Sequence, residues 1–175
     1  MPPYQVVRSK LDKTRVLQAD SELTRYIPET VVYTVKNLIE MLKRFSRVYV
    51  KPECGRGGKR VISIVADDDG LCRIHYESKV RDGLSFEDAA AFVARVADGD
   101  RFLIQRGIDL LRVHDTPFDV RVNVQKPYSR WEVTAMVAKV TAPGKAVSNY
   151  SQGATLLHIN EALLRAGLTM KEVNK

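Results

Sequence analysis

A glycine-rich segment between two β-rich segments constrains the fold of this chain more than any other feature. Residues 47–52 (RVYVKP) and 60–66 (RVISIVA) are rich in β-branched residues, and ECGRGG at 53–58 separates them. This pattern predicts a β-hairpin with a glycine loop. It excludes a Walker A loop and a Rossmann turn, since both lead into a helix. The glycines that would let backbone N–H groups approach a phosphate are Gly55, Gly57 and Gly58.

The loop is also basic, and two interpretations of it stay open. Lys51 ends the first strand, and Arg56, Lys59 and Arg60 follow within the loop. These cations would raise the local potential for an anion. The alternative is an ordinary flexible hairpin that carries basic side chains.

The remaining pattern alternates between helix and strand. Apolar residues at helical spacing predict a helix that Thr34 caps and that ends near Ser46. DDDG at 67–70 predicts a hairpin turn, and Ser85 begins a second helix through a capping box. A buried strand at 101–111 is broken at Gly107.

The last third of the chain predicts a second sheet. FDVRVNVQ at 118–125 and WEVTAMVAKVTA at 131–142 alternate apolar and polar residues, as half-buried strands do. Asn160 would cap a short helix that Gly167 ends. The sequence therefore predicts an α+β fold with two lobes of mainly antiparallel sheet and packed helices, at 1–80 and 81–175. The polar face of the first strand (Asp119, Arg121, Asn123, Gln125) is either solvated or a carboxylate or phosphate site.

Composition narrows the function classes. The 175 residues carry a net charge of +7, with +7 in residues 1–60, −5 in 61–120 and +5 in 121–175. Basic flanks around an acidic middle fit binding of an anion, or a solvated surface. The sequence has no apolar run of membrane length and no secretory signal in its first ten residues, and two cysteines favour a reduced, cytoplasmic setting.

Other catalytic patterns are missing from the sequence. The three histidines have no partner at metal-ligand spacing, so no metal site is predicted from them. There is no G-x-S-x-G, and Cys54 has no base nearby in the sequence, so we interpret it as incidental.

Seven short segments in order resemble the ATP-grasp fold, and more closely the endospore-coat-associated YheC/YheD family. They are SKLDKTRVL (9–17), YIPET (26–30), VYVKPECGRGGKRV (48–61), FLIQRGIDLL (102–111), PFDVRVNVQ (117–125), WEVTAMVAKV (131–140) and SNYSQGATL (148–156).

This resemblance implies that two lobes clasp ATP. Lys13 and Lys51 would contact the phosphates, and Gly55, Gly57 and Gly58 would cover them. The adenine-side hinge would be Gln105, Arg106, Gly107 and Ile108, and Asn149 would lie near the phosphates. Arg121 and Lys139 would face the γ-phosphate and the acyl substrate. The implied chemistry is activation of an unknown carboxylate to an acyl phosphate, followed by attack of an amine.

The sequence also departs from the resemblance. The family uses Mg²⁺, held by carboxylates on a late strand and an E-x-N strand, and neither is found here. Glu172-Val173-Asn174 imitates E-x-N, but Thr169 to Glu172 is typical of a capping box that opens a helix. Lys139 stands where the family usually has Arg. We therefore expect a truncated second lobe and weak or no ligase activity.

Two other functions stay open. One is a non-catalytic structural or interaction protein associated with the spore coat. The other is a basic nucleic-acid-binding module, which is disfavoured because no stacking or base-reading pattern supports it. An incomplete second lobe would expose apolar sheet, so a homodimer or a coat-protein partner is also predicted.

Overall fold

The computed structural model describes residues 6–142 and 153–173. The chain divides into two compact units, Met1–Ile108 and Asp109–Lys175. Residues 81–108, assigned above to the second lobe, therefore lie in unit 1. Both units combine helices with antiparallel sheet, as predicted.

Unit 1 is built on a six-stranded sheet with the order β1-β6-β2-β3-β4-β5. Every neighbouring pair is antiparallel. The strands are β1 (Thr30–Val32), β2 (Arg47–Pro52), β3 (Ile62–Ala66), β4 (Cys72–Tyr76), β5 (Lys79–Leu84) and β6 (Phe102–Arg106). The predicted hairpin is confirmed as β2 and β3, although β3 begins at Ile62 because Arg60 has a left-handed φ of 58°.

Helices cover one face of this sheet. They are α2 (Val35–Arg44) and α3 (Phe86–Ala97), and α1 (Lys10–Gln18) precedes them in the chain. The caps are as predicted, since Thr34 accepts from Asn37 N at 3.0 Å and Ser85 accepts from Asp88 N at 3.0 Å. The core between helices and sheet includes Leu38, Val48, Ile64, Val93, Phe102 and Ile104.

Two strands of this sheet were not predicted. β1 has only three residues, too few for an alternating pattern. β5 has the sequence KVRDGL and is exposed along most of its length. An edge strand packs little apolar surface, so its sequence carries little β signal.

Unit 2 contains a four-stranded sheet with the order β10-β9-β8-β7. Its strands are β7 (Arg112–Val113), β8 (Thr116–Gln125), β9 (Glu132–Val140) and β10 (Thr155–His158). The helices are α4 (Ile159–Arg165) and α5 (Met170–Val173). β8 and β9 are the two predicted alternating strands, and they pair along nearly their whole length.

The predicted cap of α4 was wrong. His158, not Asn160, occupies the N-cap, and its Nδ1 accepts from Asn160 N at 3.3 Å. The strand β10 runs through His158, so the chain turns into the helix two residues earlier than the Asn pattern predicted. The capping box before α5 is confirmed, because Glu172 accepts from Thr169 N at 2.8 Å.

One face of the unit 2 sheet is only partly covered. The buried cluster of Val113, Phe118, Ala138 and Ala162 forms where α4 packs. Further along the same face of β8 and β9, apolar side chains are 40–58% exposed, namely Val120, Val122, Val124, Val133 and Met136. Exposed apolar sheet was therefore predicted correctly for this lobe.

Candidate functional site

A polar row crosses five strands of unit 1 on the sheet face opposite α2 and α3. Cross-strand pairing aligns Thr30 with Gln105, Gln105 with Tyr49, Tyr49 with Ser63, and Ser63 with His75. The flanking residues Val48, Val50, Ile62, Ile64 and Ile104 point into the core. Because strand side chains alternate, the polar row lies on the face that the helices leave uncovered.

Lys51 projects from this face and is held at its centre. Its Nζ donates to Gln105 Oε1 at 2.6 Å, and Gln105 Nε2 donates to Thr30 Oγ1 at 2.8 Å. The amide thus fixes the ammonium group, and a hydroxyl fixes the amide. The structure therefore brings together Lys51 and Gln105, two residues predicted for the same ligand.

Lys51 carries its charge at a cost. Burial, and to a smaller extent the nearby positive charge of Lys10, together lower its pKa from 10.5 to about 8. An anion placed beside Lys51 would relieve both effects, because it supplies the missing counter-charge. A lysine with this electrostatic profile is typical of a functional site.

Lys10 was missed by the sequence analysis, and it anchors the glycine loop. Its Nζ donates to the carbonyl oxygens of Pro52 (2.8 Å), Glu53 (3.3 Å) and Gly55 (3.2 Å). Burial lowers the pKa of this ammonium group too. Three backbone carbonyls on one lysine fix the path of the chain where β2 enters the loop.

Glu53 joins the same anchor from the other side. Its carboxylate, only 8% exposed as a residue, accepts from Ser9 Oγ at 2.5 Å. Arg101 Nε lies 3.0 Å from Glu53 Oε2, close enough for an ion pair although the N–H is not aimed for a hydrogen bond. Ser9 is the N-cap of α1 and accepts from Asp12 N. The start of α1, the end of β2 and the start of β6 are thus tied together.

The loop itself lies between two cavities. The front cavity, of about 610 Å³, is lined by Val6, Val7, Arg8, Lys13, Cys54, Gly55 and Arg56. The back cavity, of about 560 Å³, is lined by Pro52, Glu53, Cys54, Gly55, Arg56, Lys59, Arg60, Asp100 and Arg101. The front cavity contains three cations and no acidic side chain, which suits an anionic ligand.

The predicted loop glycines have the conformations expected of them. Gly55, Gly57 and Gly58 have φ values of 135°, 75° and 68°, which L side chains rarely adopt. Lys13 lines the front cavity with Gly55, as a phosphate-contacting residue should. These placements agree with the predicted roles, which stay predictions.

The side chains of the predicted hinge residues do not lie together on one surface. Gln105 lies on the uncovered face, but the Arg106 guanidinium lies 5.5 Å from the Phe45 ring on the helix-covered side. Gly107 N donates to Arg47 O at 2.8 Å, and a Cβ at Gly107 would lie 2.7 Å from Arg47 Cγ. Ile108 is 47% exposed. The side chain of Arg106 is therefore not available to a ligand on the Lys51 face, and its backbone N–H already donates to Glu29 O at 2.9 Å.

Unit 2 holds the predicted catalytic pair on one strand face. Lys139 is directly opposite Asp119 in the β8–β9 register, and its Nζ donates to Asp119 Oδ2 at 3.0 Å. Arg121, also on β8, is exposed and donates through Nε to Asn123 Oδ1 at 3.3 Å. Asn149 lies outside the described residues.

The described residues contain no cluster of side chains that could bind a metal ion through protein ligands alone. Within 6–142 and 153–173, no group of three or more His, Cys, Asp or Glu side chains could hold a metal ion. Mg²⁺ takes oxygen ligands, usually one or two protein carboxylates together with substrate phosphates. No step of the proposed reaction is assigned to Mg²⁺ on this chain.

Comparison with known proteins identifies the family. Residues 4–175 match the YheC/D-like ATP-grasp family. The chain belongs to this family. The predicted resemblance and the α+β ATP-grasp-like fold are thereby confirmed. One relative is the endospore coat-associated protein YheD of Bacillus subtilis (strain 168), 28% identical over 159 residues.

The match covers most of this chain but only part of the relative. It covers 87% of this chain but 35% of the relative, so the chain spans about a third of that protein. No helix in the described part of this chain is long and apolar enough to span a membrane.

Membership of the YheC/D-like ATP-grasp family gives the site its context. ATP-grasp proteins in general use ATP and Mg²⁺. Lys10, Glu53 and Ser9 were missed because their partners are about 43 residues away in the chain. The spacing of Ser9 and Asp12 as a capping pair was the one local signal that α1 begins there.

Proposed function

We propose that unit 1 binds an adenine nucleotide on the face that carries Lys51, with its phosphates under the glycine loop. The observation that carries this proposal is the Lys51–Gln105–Thr30 chain beside a loop that Lys10 anchors. A half-buried cation with a lowered pKa, next to backbone N–H groups that glycines leave accessible, favours a phosphate over a neutral ligand.

The cations of the front cavity extend this site. Arg8, Lys13 and Arg56 line a space of about 610 Å³, within the size range of ordinary ligand pockets. Together with Lys51 they offer counter-charge for a di- or triphosphate. Gln105 and the backbone of Arg106, Gly107 and Ile108 are proposed for the adenine side, where backbone groups supply directed hydrogen bonds. Asn149 is proposed to lie near the same phosphates.

The proposed reaction class is carboxylate activation by ATP followed by amine attack. Arg121 and Lys139 are the proposed catalytic cations for the γ-phosphate and the acyl substrate. We expect weak or no ligase activity from this chain alone, since among its described residues no group of three or more His, Cys, Asp or Glu side chains could hold a metal ion.

Thermal unfolding tests nucleotide binding directly. The melting temperature is measured with ADP or ATP at millimolar concentration, each with and without Mg²⁺. A ligand at about 100 times its Kd adds roughly 2.7 kcal/mol, which is several degrees for a chain of this size. Lys51→Met should abolish the increase, whereas Lys43→Met, on the exposed side of α2, should keep it.

The Mg²⁺ dependence separates the outcomes. An increase that requires Lys51 and is unaffected by Mg²⁺ supports a nucleotide site without a metal-binding part. An equal increase in Lys51→Met would place the ligand elsewhere and contradict the proposal.

A second candidate function is a non-catalytic role in the spore coat. The name of the Bacillus subtilis relative, endospore coat-associated protein, favours it. A chain with this role would show no stabilisation by either nucleotide, and its partners would be other proteins. Such a result would leave the fold assignment unchanged and would support the non-catalytic role over nucleotide binding.

A further inference from the structure

The back cavity and the front cavity lie on different sides of the glycine loop. Arg60 lies 5.1 Å from the Phe102 ring, and Phe102 belongs to the helix-covered core. Arg60 also donates to the carbonyl oxygens of Val96 and Ala97 at the end of α3. The back cavity is therefore on the helix side of the sheet, away from Lys51 and Gln105.

The back cavity has more cations than its own carboxylates neutralise. Four basic side chains line it, and two acidic ones, Glu53 and Asp100. Arg101 pairs with Glu53, and Arg60 pairs with Asp100. Among the described residues no ion pair is found for Arg56 or Lys59. Two uncompensated charges at one cavity match a doubly charged oxyanion.

The back cavity also reaches the anchor of the nucleotide site. Arg56 lines both cavities. Its single guanidinium group therefore cannot pair fully with an anion in each cavity at the same time. Arg101 is the counter-ion of Glu53, whose carboxylate holds Ser9 at the start of α1. An anion that takes Arg101 leaves a nearly buried carboxylate without its cation, which is unfavourable. That cost falls on the carboxylate that fixes the start of the helix carrying Lys10 and Lys13.

We propose that the back cavity binds a doubly charged oxyanion of the phosphate class and that this binding weakens nucleotide binding at the front cavity. The oxyanion site does not depend on the proposed function, whereas the weakening of nucleotide binding rests on the proposed nucleotide site. Coupling of this kind is reciprocal, so nucleotide also weakens binding of the oxyanion.

Inorganic phosphate is the probe, and the Kd for ADP is measured at increasing phosphate with the ionic strength held constant by chloride. The Kd should rise about fivefold or more and then reach a plateau, since the two ligands occupy different sites. Lys59→Gln, which alters the back cavity alone, should remove the rise and leave the Kd without phosphate nearly unchanged. Lys36→Gln, on the exposed surface of α2, should behave as the wild type.

A Kd that rises in proportion to phosphate without a plateau, and equally in Lys59→Gln, would show direct competition at the front cavity and overturn the proposal. The melting temperature in phosphate alone tests the back cavity without nucleotide. Phosphate should stabilise the wild type more than Lys59→Gln. If ADP does not bind but this difference is present, the nucleotide proposal and the coupling fail while the oxyanion site is supported. If the difference is absent, the oxyanion site itself is wrong.

Discussion

At the scale of single residues, the site depends on one ammonium group whose charged form is destabilised by its surroundings. Lys51 is half-buried, close to Lys10, and fixed by Gln105. Burial and the charge of Lys10 raise the free energy of the empty charged site, whereas the hydrogen bond to Gln105 positions the ammonium group. A bound anion returns that free energy, which is how such a lysine gains selectivity for phosphate over neutral ligands.

The lowered pKa of Lys51 predicts how nucleotide affinity changes with pH. Once the terminal phosphate of ADP is ionised, above about pH 7, the affinity should fall as the pH rises through the Lys51 pKa of about 8, because the neutral amine no longer pairs with phosphate. Isothermal titration with ADP across this range measures it, with Lys51→Gln as the control that should show weak binding with little pH dependence. A wild-type affinity that rises with pH would contradict the assignment.

The same group predicts an opposite pH trend for the stability of the free protein. The folded-state pKa is lower than the unfolded value of 10.5, so the unfolded chain binds more protons between about 8 and 10.5. The free energy of unfolding contributed by Lys51 therefore rises with pH across that window. Urea unfolding without ligand should show this increase in the wild type and a smaller one in Lys51→Met.

Lys10 and Lys13 predict different effects although both lie on α1. Lys10→Met removes three hydrogen bonds to the loop, so it should lower both the melting temperature and the affinity for ADP. Lys13→Met removes only a cavity charge and should lower the affinity with little effect on stability. Thermal unfolding and ADP titration of both variants separate an anchoring role from a contact role. Equal melting temperatures for the two would contradict it.

At the scale of elements, side-chain caps decide where the unit 1 helices begin. Ser85 accepts from Asp88 N at 3.0 Å and donates to the Asp88 carboxylate at 2.7 Å. These contacts satisfy an N–H group that the helix itself leaves unpaired. The cap also sets where α3 starts to pack on the sheet.

Removing this cap should therefore destabilise the protein measurably. Ser85→Ala is expected to lower the free energy of unfolding by about 1 kcal/mol. For a chain of this length, that corresponds to a decrease in melting temperature of about 2–4 °C. Ser46→Ala, at an exposed position outside the helices, is the matched control and should change little. If Ser85→Ala lowers the free energy of unfolding no more than Ser46→Ala does, the Ser85 hydroxyl does not contribute to stability in solution.

At the scale of the whole molecule, the two units differ in how completely they cover their sheets. Unit 1 buries one sheet face under α2 and α3. Unit 2 leaves Val120, Val122 and Met136 at least 40% exposed beyond the cluster under α4. Contiguous exposed apolar surface of this kind is typical of contact regions.

Self-association through this face stays a prediction of the sequence analysis. Light scattering at increasing protein concentration should show a species larger than the monomer, and Val122→Lys should reduce it. The substitution is at an exposed position, so the melting temperature should change little. A strictly monomeric wild type at high concentration would contradict the prediction.

The sequence by itself determined the local elements and the chemistry of the loop. Apolar spacing, caps and glycines act over a few residues, so the β2–β3 hairpin, α2, α3 and the β8–β9 pair were all predicted correctly. Lys51, Gln105 and the three glycines were proposed as site residues from motif segments, and their roles stay predictions. The tertiary structure alone decided what depends on distant residues. It selected Lys10 and Glu53 as loop anchors and turned Arg106 to the helix side. It also placed residues 81–108 in unit 1, because strand pairing puts β6 next to β2. Pairing of this kind is a property of the folded sheet and leaves no local signal in the chain.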